Sequence, residues 1–388
     1  MSLRLRISSL LAKIEGDYGV DPVATGVANA VLLRGEPTLT PMEMTEIERD
    51  LVLPYFGNSE SLPGAIYGML NFKTEQAGSG TAGVAPAWGP LMRGVGCSEN
   101  ILAAAYTDIA QDGGSATSIK LAASASAINE FYNGMPIEIT AGTGNGKTGF
   151  IVDYDGATKV ATVISASWVA PDATSQYSIG ANVTYRRITD NHESVALYLN
   201  IDGVLHKLLG ARGNVSGSIA LDQIPEFSWS FKGLFVPIVD SDRPSVVVSG
   251  WKTPFVANKA NTPFVSLHGF NAAAIESFDF DLGNELNYHG LINSTEQILI
   301  TNSKPSGNIS MEAVNVATKD WWTIAKNATL GALGIQHGTM AGNQIAITQP
   351  AVQIKKPAYS NKNGIAMLKV GLVPKPISGN DEICITTF

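Results

Sequence analysis

The sequence predicts an all-β-dominated fold with a minor helical part, built as two copies of one supersecondary plan plus one inserted small β-barrel or β-sandwich module. Three observations predict it. Segments with a two-residue hydrophobic period recur between Gly, Pro and Asn, as half-buried strands require. Helical periodicity is confined to two places. With one block removed, the two halves of the chain run through the same order of strand, Trp-bearing helix and strand.

In chain order, MSLRLRISSLLAKIEGDYG carries two arginines and a brief apolar run, without the continuous apolar core or small-residue cleavage site of a signal peptide. YGMLNFKTE (Tyr67–Glu75) reads as a strand. APAWGPLMRGVG (Ala85–Gly96) is a weak helix, interrupted by glycines and proline. Ser115–Ile179 reads as a run of hairpin strands with turn-like flanks and no aromatic-rich core strand, hence an inserted module. IPEFSWSFKGLF (Ile224–Phe235) places Phe227, Trp229 and Phe231 on one face and Glu226, Ser228, Ser230 and Lys232 on the other. SVALYLNIDG, NISMEAV, NQIAITQP and AVQIKKPAY read as further strands. ATKDWWTIAKNATLGAL (Ala317–Leu333) reads as the firmer helix, with Trp321, Ile324, Ala325 and Ala328 on one stripe.

Of the 388 residues only 15% are charged, against about 25% in an average domain, so much of the surface is neutral and small, as in chains that associate. A net charge of −8 with no basic arm excludes a protein that grips DNA or an anionic membrane. The two cysteines, Cys97 and Cys384, predict buried thiols rather than a disulfide framework. No apolar run approaches a membrane span.

The motif that most resembles chemistry is ITAGTGNGKTGF (Ile139–Phe150), where Lys147 and Thr148 stand as in a phosphate-binding loop. Ala141 occupies the first glycine position, and GFIVDYDGATKVATVIS reads as strand, turn and strand, so no helix N-terminus follows to hold a phosphate. A hairpin tip with positive φ at Gly142, Gly144 and Gly146 is expected instead. His192, His206, His268, His289 and His337 have no metal-ligand spacing. Two acidic clusters stand out: Glu43, Glu46, Glu48 and Asp50, then Glu276, Asp279, Asp281 and Glu285. Paired carboxylates can serve glycoside hydrolysis or hold calcium, but FDFDLG alternates as a strand does, which makes Asp279 and Asp281 part of a solvated face. No Ser-His-Asp arrangement or G-x-S-x-G elbow occurs, so no catalytic, cofactor or metal residue is assigned.

KIEGDYGVDPVATGVANAVL, TLTPMEMTEIERDLVLPYFG, GSGTAGVAPAWGPLMRGVGC, GARGNVSGSIALDQIPEFSWSFKGLF, AGNQIAITQP and SGNDEICITTF together resemble the major tail tube proteins of long-tailed, siphovirus-like bacteriophages. SATSIKLAASASAINEFYNGMPIEITAGTGNGKT resembles a small β module grafted onto phage virion proteins. The resemblance implies a tail-tube β-sandwich or barrel with a flanking helix, duplicated and carrying an inserted small β-barrel domain, with residues 1–32 an N-terminal arm and residues 33–106 with 186–245 a first tube-type sandwich. Residues 107–185 become the inserted module, lying outside the tube, and 246–388 a second tube-like domain ending in a C-terminal arm. It further implies self-association into rings, as a trimer of duplicated domains or a hexamer, and stacking of those rings with arms and a long hairpin loop clasping the next ring. The other partners implied are tail completion, tape measure and baseplate proteins, and the location is the virion after synthesis in the host cytoplasm. Genomic DNA passes through the lumen without specific binding, which leads to the expectation that carboxylates dominate the channel wall. The alternative expectation is a β-rich surface binding or adhesion module.

Overall fold

The structure, a computed structural model, describes residues 3–388. Strand takes up 49% of the chain and helix 3%, so the fold is all-β in substance. It opens with β1 (Ser8–Ile14), β2 (Ala30–Val31), β3 (Thr38–Glu48), β4 (Ser61–Glu75), α1 (Gly89–Gly94) and β5 (Cys97–Leu102). Then come β6 (Tyr106–Ile109), β7 (Gln111–Ser115), β8 (Ser118–Lys120), β9 (Pro136–Ala141), β10 (Thr148–Asp155), β11 (Val160–Ile164) and β12 (Gln176–Ile179). β13 (Asn182–Arg187), β14 (Val195–Ile201), β15 (Val204–Ala220), β16 (Glu226–Phe235) and β17 (Val239–Asp240) follow. The last part holds β18 (Phe264–Leu267), β19 (Ile275–Asp281), β20 (Asn284–His289), β21 (Gln297–Ser303), β22 (Ser306–Glu312), α2 (Trp321–Lys326), β23 (Leu330–His337), β24 (Ile345–Lys362), β25 (Ile365–Lys375) and β26 (Cys384–Thr387).

One pairing plan occurs twice. In the first repeat β1 pairs β14, β14 pairs β15, β15 pairs β16, β16 pairs β4 and β4 pairs β3. In the second, β18 pairs β23, β23 pairs β24, β24 pairs β25, β25 pairs β22 and β22 pairs β19. Every one of these pairings is antiparallel, and the elements come in the same chain order. α1 follows β4 as α2 follows β22, and each helix brings in a buried tryptophan, Trp88 and Trp321. The repeats are joined edge to edge where Ser216–Ala220 of β15 pairs with Asp281–Ser277 of β19. The result is a run of eight strands, β3-β4-β16-β15-β19-β22-β25-β24, four from each repeat.

Register across this run is continuous, so its faces are sharply different. Thr74, Phe227, Gly217, Phe280, Gly307, Leu372 and Ile354 form one inward row. The glycines alternate with large side chains because a Cβ on Gly217 would lie 2.4 Å from the Phe280 ring. The next row, Glu75, Glu226, Ser218, Asp279, Asn308, Gly371 and Lys355, points the other way. The inward face shares one core with β1, β14, β23 and β26, where Leu10, Leu197, Leu333 and Ile385 meet Phe72, Phe227 and Phe280. Trp229 is buried there as the sequence predicts, stacked on Phe72 and Phe231, and its indole N–H donates to Thr74 Oγ1 at 2.9 Å.

β6 to β12 make a separate seven-stranded sheet with a core of its own. That core is not poor in aromatics: Tyr132, Tyr154 and Tyr177 fill it, with Tyr106 packed against them. Of segment 107–185, residues 182–185 lie in the larger sheet, as the start of β13 between β5 and β26. The seven-stranded sheet packs onto the second repeat through Phe150, which meets Phe264 and Phe388.

Three expectations need correction. The helix of Ala317–Leu333 is only Trp321–Lys326, capped by Asp320 accepting from the Thr323 N–H at 2.9 Å. Ala328 enters the left-handed region at φ 52°, and Leu330 onward is strand, because β23 gains ladder partners on both sides. Within the expected N-terminal arm 1–32, whose first two residues lie outside the described ones, β1 is an inner strand with Leu10 and Leu11 buried. The expected C-terminal arm likewise ends in β26, buried between β13 and β24.

Candidate assembly interface

The eight-strand run ends in two edges. Among the described residues β3 pairs only with β4, and β24 beyond Lys355 pairs only with β25. An exposed edge is a template for another strand, and folded proteins commonly blunt it with charge, proline or a bulge. Both edges here carry proline, Pro41 and Pro357, and a register shift in the adjoining pair. Their charges are opposite. β3 presents Glu43, Glu46 and Glu48, whereas β24 presents Lys355, Lys356 and Lys362. Glu276 at the start of β19 holds Lys362 at 3.2 Å.

Beyond β3 and β4 the chain projects an arm, Arg49–Glu60, whose Leu51, Val52, Leu53, Tyr55 and Phe56 are all exposed. An apolar cluster of this kind in water marks a contact surface.

The outward face of the run is hydrophilic and carries both signs of charge. Ser216, Ser218, Ser228, Ser306 and Asn308 dominate it. Lys73 and Arg34 both approach Glu226, at 2.5 Å and 3.4 Å. Asp281 accepts from Asn214 Nδ2 at 2.7 Å and from the Gly283 N–H at 2.6 Å, and Asp279 accepts from Asn308 Nδ2 at 3.0 Å. Hydrogen bonds from Ser310 and Lys362 hold the Glu276 carboxyl below its usual range. A face dominated by carboxylates, the sequence expectation for a channel wall, is therefore not what this surface offers. The two acidic clusters have separate surroundings: Glu43, Glu46 and Glu48 line an open edge with Asp50 just past it, while Glu276, Asp279 and Asp281 lie on β19 and Glu285 on β20.

The residues of the failed phosphate loop sit on the seven-stranded sheet. Gly142, Gly144 and Gly146 all take positive φ in the turn from β9 to β10, and at Gly142 a Cβ would strike Thr174 O at 2.0 Å. Lys147 Nζ donates to Ser167 Oγ at 3.3 Å, and Thr148 opens a strand. The histidines are dispersed: His268 bonds Val352 O and His337 bonds Phe255 O, while burial lowers the pKa of both rings and of His206. His192 bonds Ile188 O. Among the described residues no three His, Cys, Asp or Glu side chains converge on a metal position, and no helix is long and apolar enough to cross a membrane. Cys97 and Cys384 are buried free thiols, pushed by burial up to about 12.

Sequence reasoning missed the opposite charge of the two edges. The acidic stretch PMEMTEIERD was visible, but its basic counterpart in QIKKPAY becomes a counterpart only once both lie on opposite ends of one sheet. No family model matches this chain, and no curated protein matches it.

Proposed function

We propose that this chain is a structural subunit that closes head to tail into rings, and that stacked rings form the tail tube of a bacteriophage, through which DNA passes. The observation that carries the reading is the repeat itself: one copy of the interface, β15 with β19, already exists inside the chain, and its two missing halves are the free edges of β24 and β3. A head-to-tail contact between unlike surfaces generates a ring when its rotation closes. In the internal joint the hairpin end of β15, Ala220, lies beside the start of β19. The same geometry lays Lys362 of one copy near Thr38 of the next, which brings Lys355 and Lys356 alongside Glu43 and Glu46.

Size favours three copies. Eight strands from each of three chains, spaced about 4.8 Å apart and tilted about 40°, give a barrel about 48 Å across its backbone, leaving about 35–40 Å between side chains. Two copies would leave about 20 Å, the width of the duplex itself and too little for its hydration. In this arrangement the outward serine and asparagine rows become the wall. The wall then carries both signs of charge: Lys73 stands beside a carboxylate, whereas Lys355 and Lys369 have no ion pair within the chain among the described residues. The seven-stranded module packs at Ala346, on the start of β24 before that strand pairs with β25, and decorates the outside.

Sedimentation and negative-stain imaging of the purified chain test this reading. Rings or tubes with a central hole are expected; monomers at every accessible concentration would refute it, as would discrete oligomers that bind cell-surface glycans and have no hole.

A further inference from the structure

We propose that the seam between the seven-stranded sheet and the second repeat is a binding site for a neutral saccharide of one or two rings. The seam lies within one chain, so the inference rests on neither ring closure nor passage of DNA.

Register sets the wall on the module side. Ser178 of β12 and Thr148 of β10 both stand opposite Glu138 of β9, so a hydroxyl, a carboxylate and a second hydroxyl form one row across three strands. Neighbours in such a row are about 4.8 Å apart, the scale of a pyranose ring. In the next row on the same face Pro136 stands opposite Phe150, the ring through which the module docks. Its centroid lies 5.7 Å from those of Phe264 and Phe388.

The facing wall belongs to the second repeat and pairs each amide with a phenyl ring. Gln336 of β23 stands opposite Phe264 of β18. Gln344 and Phe388 exchange backbone hydrogen bonds, at 3.1 Å and 3.3 Å. Both phenylalanines are half-buried, as are both glutamines. Between the walls lies a cleft of about 490 Å³, within the range of about 300–1,000 Å³ in which small molecules bind. Glycines keep its rim open: a Cβ on Gly180 would meet only Pro136 Cγ, at 3.9 Å, and one on Gly146 would meet nothing within 4 Å. Gly146 and Thr148 both come from the stretch that resembles a phosphate loop, which here serves as the lip of a cleft.

The lining selects the ligand's chemistry. Glu138 is its one charged side chain among the described residues, while Lys147 Nζ is engaged with Ser167 Oγ at 3.3 Å. A carboxylate without a cation beside it in the lining repels phosphate and other anions. Two amides and two hydroxyls supply uncharged donors and acceptors, and among the described residues none of these four side chains is hydrogen-bonded within the chain. A wholly apolar ligand would leave them unpaired. The phenyl rings call for an apolar face. A neutral pyranose meets both demands, with hydroxyls around its edge and C–H groups on its faces.

Saturation-transfer NMR on the intact chain tests the assignment, with maltose, cellobiose, lactose and N,N′-diacetylchitobiose as probes at millimolar concentration. Transfer to the ring C–H protons of at least one probe is expected. Gln336→Ala with Gln344→Ala removes both amides, and Thr148→Trp, at an exposed position, fills the cleft; each is expected to weaken binding about tenfold or more while the far-UV spectrum stays that of the wild type. Should the double variant fail to fold, Thr148→Trp decides. No transfer to any of the four probes overturns the proposal, as does undiminished affinity in a folded variant. Displacement of the sugar by inorganic phosphate would mark an anion site beside Lys147 and overturn it too. Rings with a central hole that also bind a probe are consistent with both this site and the assembly proposed above; monomers that bind a probe would refute the assembly and leave the site standing.

Discussion

Reversing the basic edge is the sharpest perturbation of the proposed ring. Lys355→Glu with Lys356→Glu touches two exposed side chains on β24, neither in an ion pair within the chain, so the fold of the monomer is expected to survive. At the joint each change removes an attraction to Glu43 or Glu46 of the neighbour and substitutes a repulsion. Opposite-charge pairs across strands contribute about 0.2–1 kcal/mol each, and like charges cost about as much. Two reversed pairs therefore weaken each joint by about 1–4 kcal/mol, a drop of about 5- to 1,000-fold in its association constant. Sedimentation velocity at low ionic strength reads this directly, and the difference between wild type and variant shrinks toward 1 M salt, where the Debye length is about 3 Å. The quadruple variant that also carries Glu43→Lys and Glu46→Lys restores opposite charge and recovers most of the loss. An effect below about twofold, or a quadruple variant no better than the double, would refute the pairing of these edges.

Trp229→Ala is expected to cost about 3–5 kcal/mol in urea denaturation, since the indole is buried among aromatic rings with its N–H bonded; a loss below about 1 kcal/mol would contradict the packing described. Replacing residues 105–180 by a short turn is expected to preserve the larger sheet, because Leu102 and Asn182 sit opposite one another on β5 and β13. Uncovering Phe264 and Phe388 costs about 2–4 kcal/mol, read as a lowered midpoint, and loss of all folded signal would show that the module is required. Glu130 gives a pH signature. Burial, and then Asp153 and Asp381, raise its carboxyl from 4.5 to about 7. The folded state then binds the proton more tightly than the unfolded one, so stability falls as pH rises from 4.5 to about 7. Glu130→Gln flattens that decline, and parallel pH profiles for the two proteins would exclude the assignment. Cys97 and Cys384 are expected to resist thiol reagents until the protein unfolds, and prompt labelling under native conditions would show that β5 or β26 opens.

Alternation made much of the fold legible. Ile224–Phe235 has one buried face, and a strand with one buried face writes its geometry into a two-residue period. β26 was not legible because all four of its residues are buried and the period vanishes; ICITT at a terminus looks the same as an arm. The overlong helix at Ala317–Leu333 shows the opposite failure. LGALGIQH has no strong preference, and its state is decided by β18 and β24, which lie far away in sequence. The acidic clusters were seen, but their difference was not, since Glu43 on an open edge and Asp281 inside a ladder look alike in a string of letters.

The edges of β3 and β24 differ from each other instead of being self-complementary, and this gives any polymer of the chain a direction. In the proposed head-to-tail pairing two copies cannot satisfy each other face to face, so an arc keeps one free edge of each kind until its last subunit meets its first. A chain spoiled at one edge keeps the other intact. Under the proposed pairing it is expected to join a growing arc and block it, which makes such a variant a poison for intact subunits even when it is the minority species.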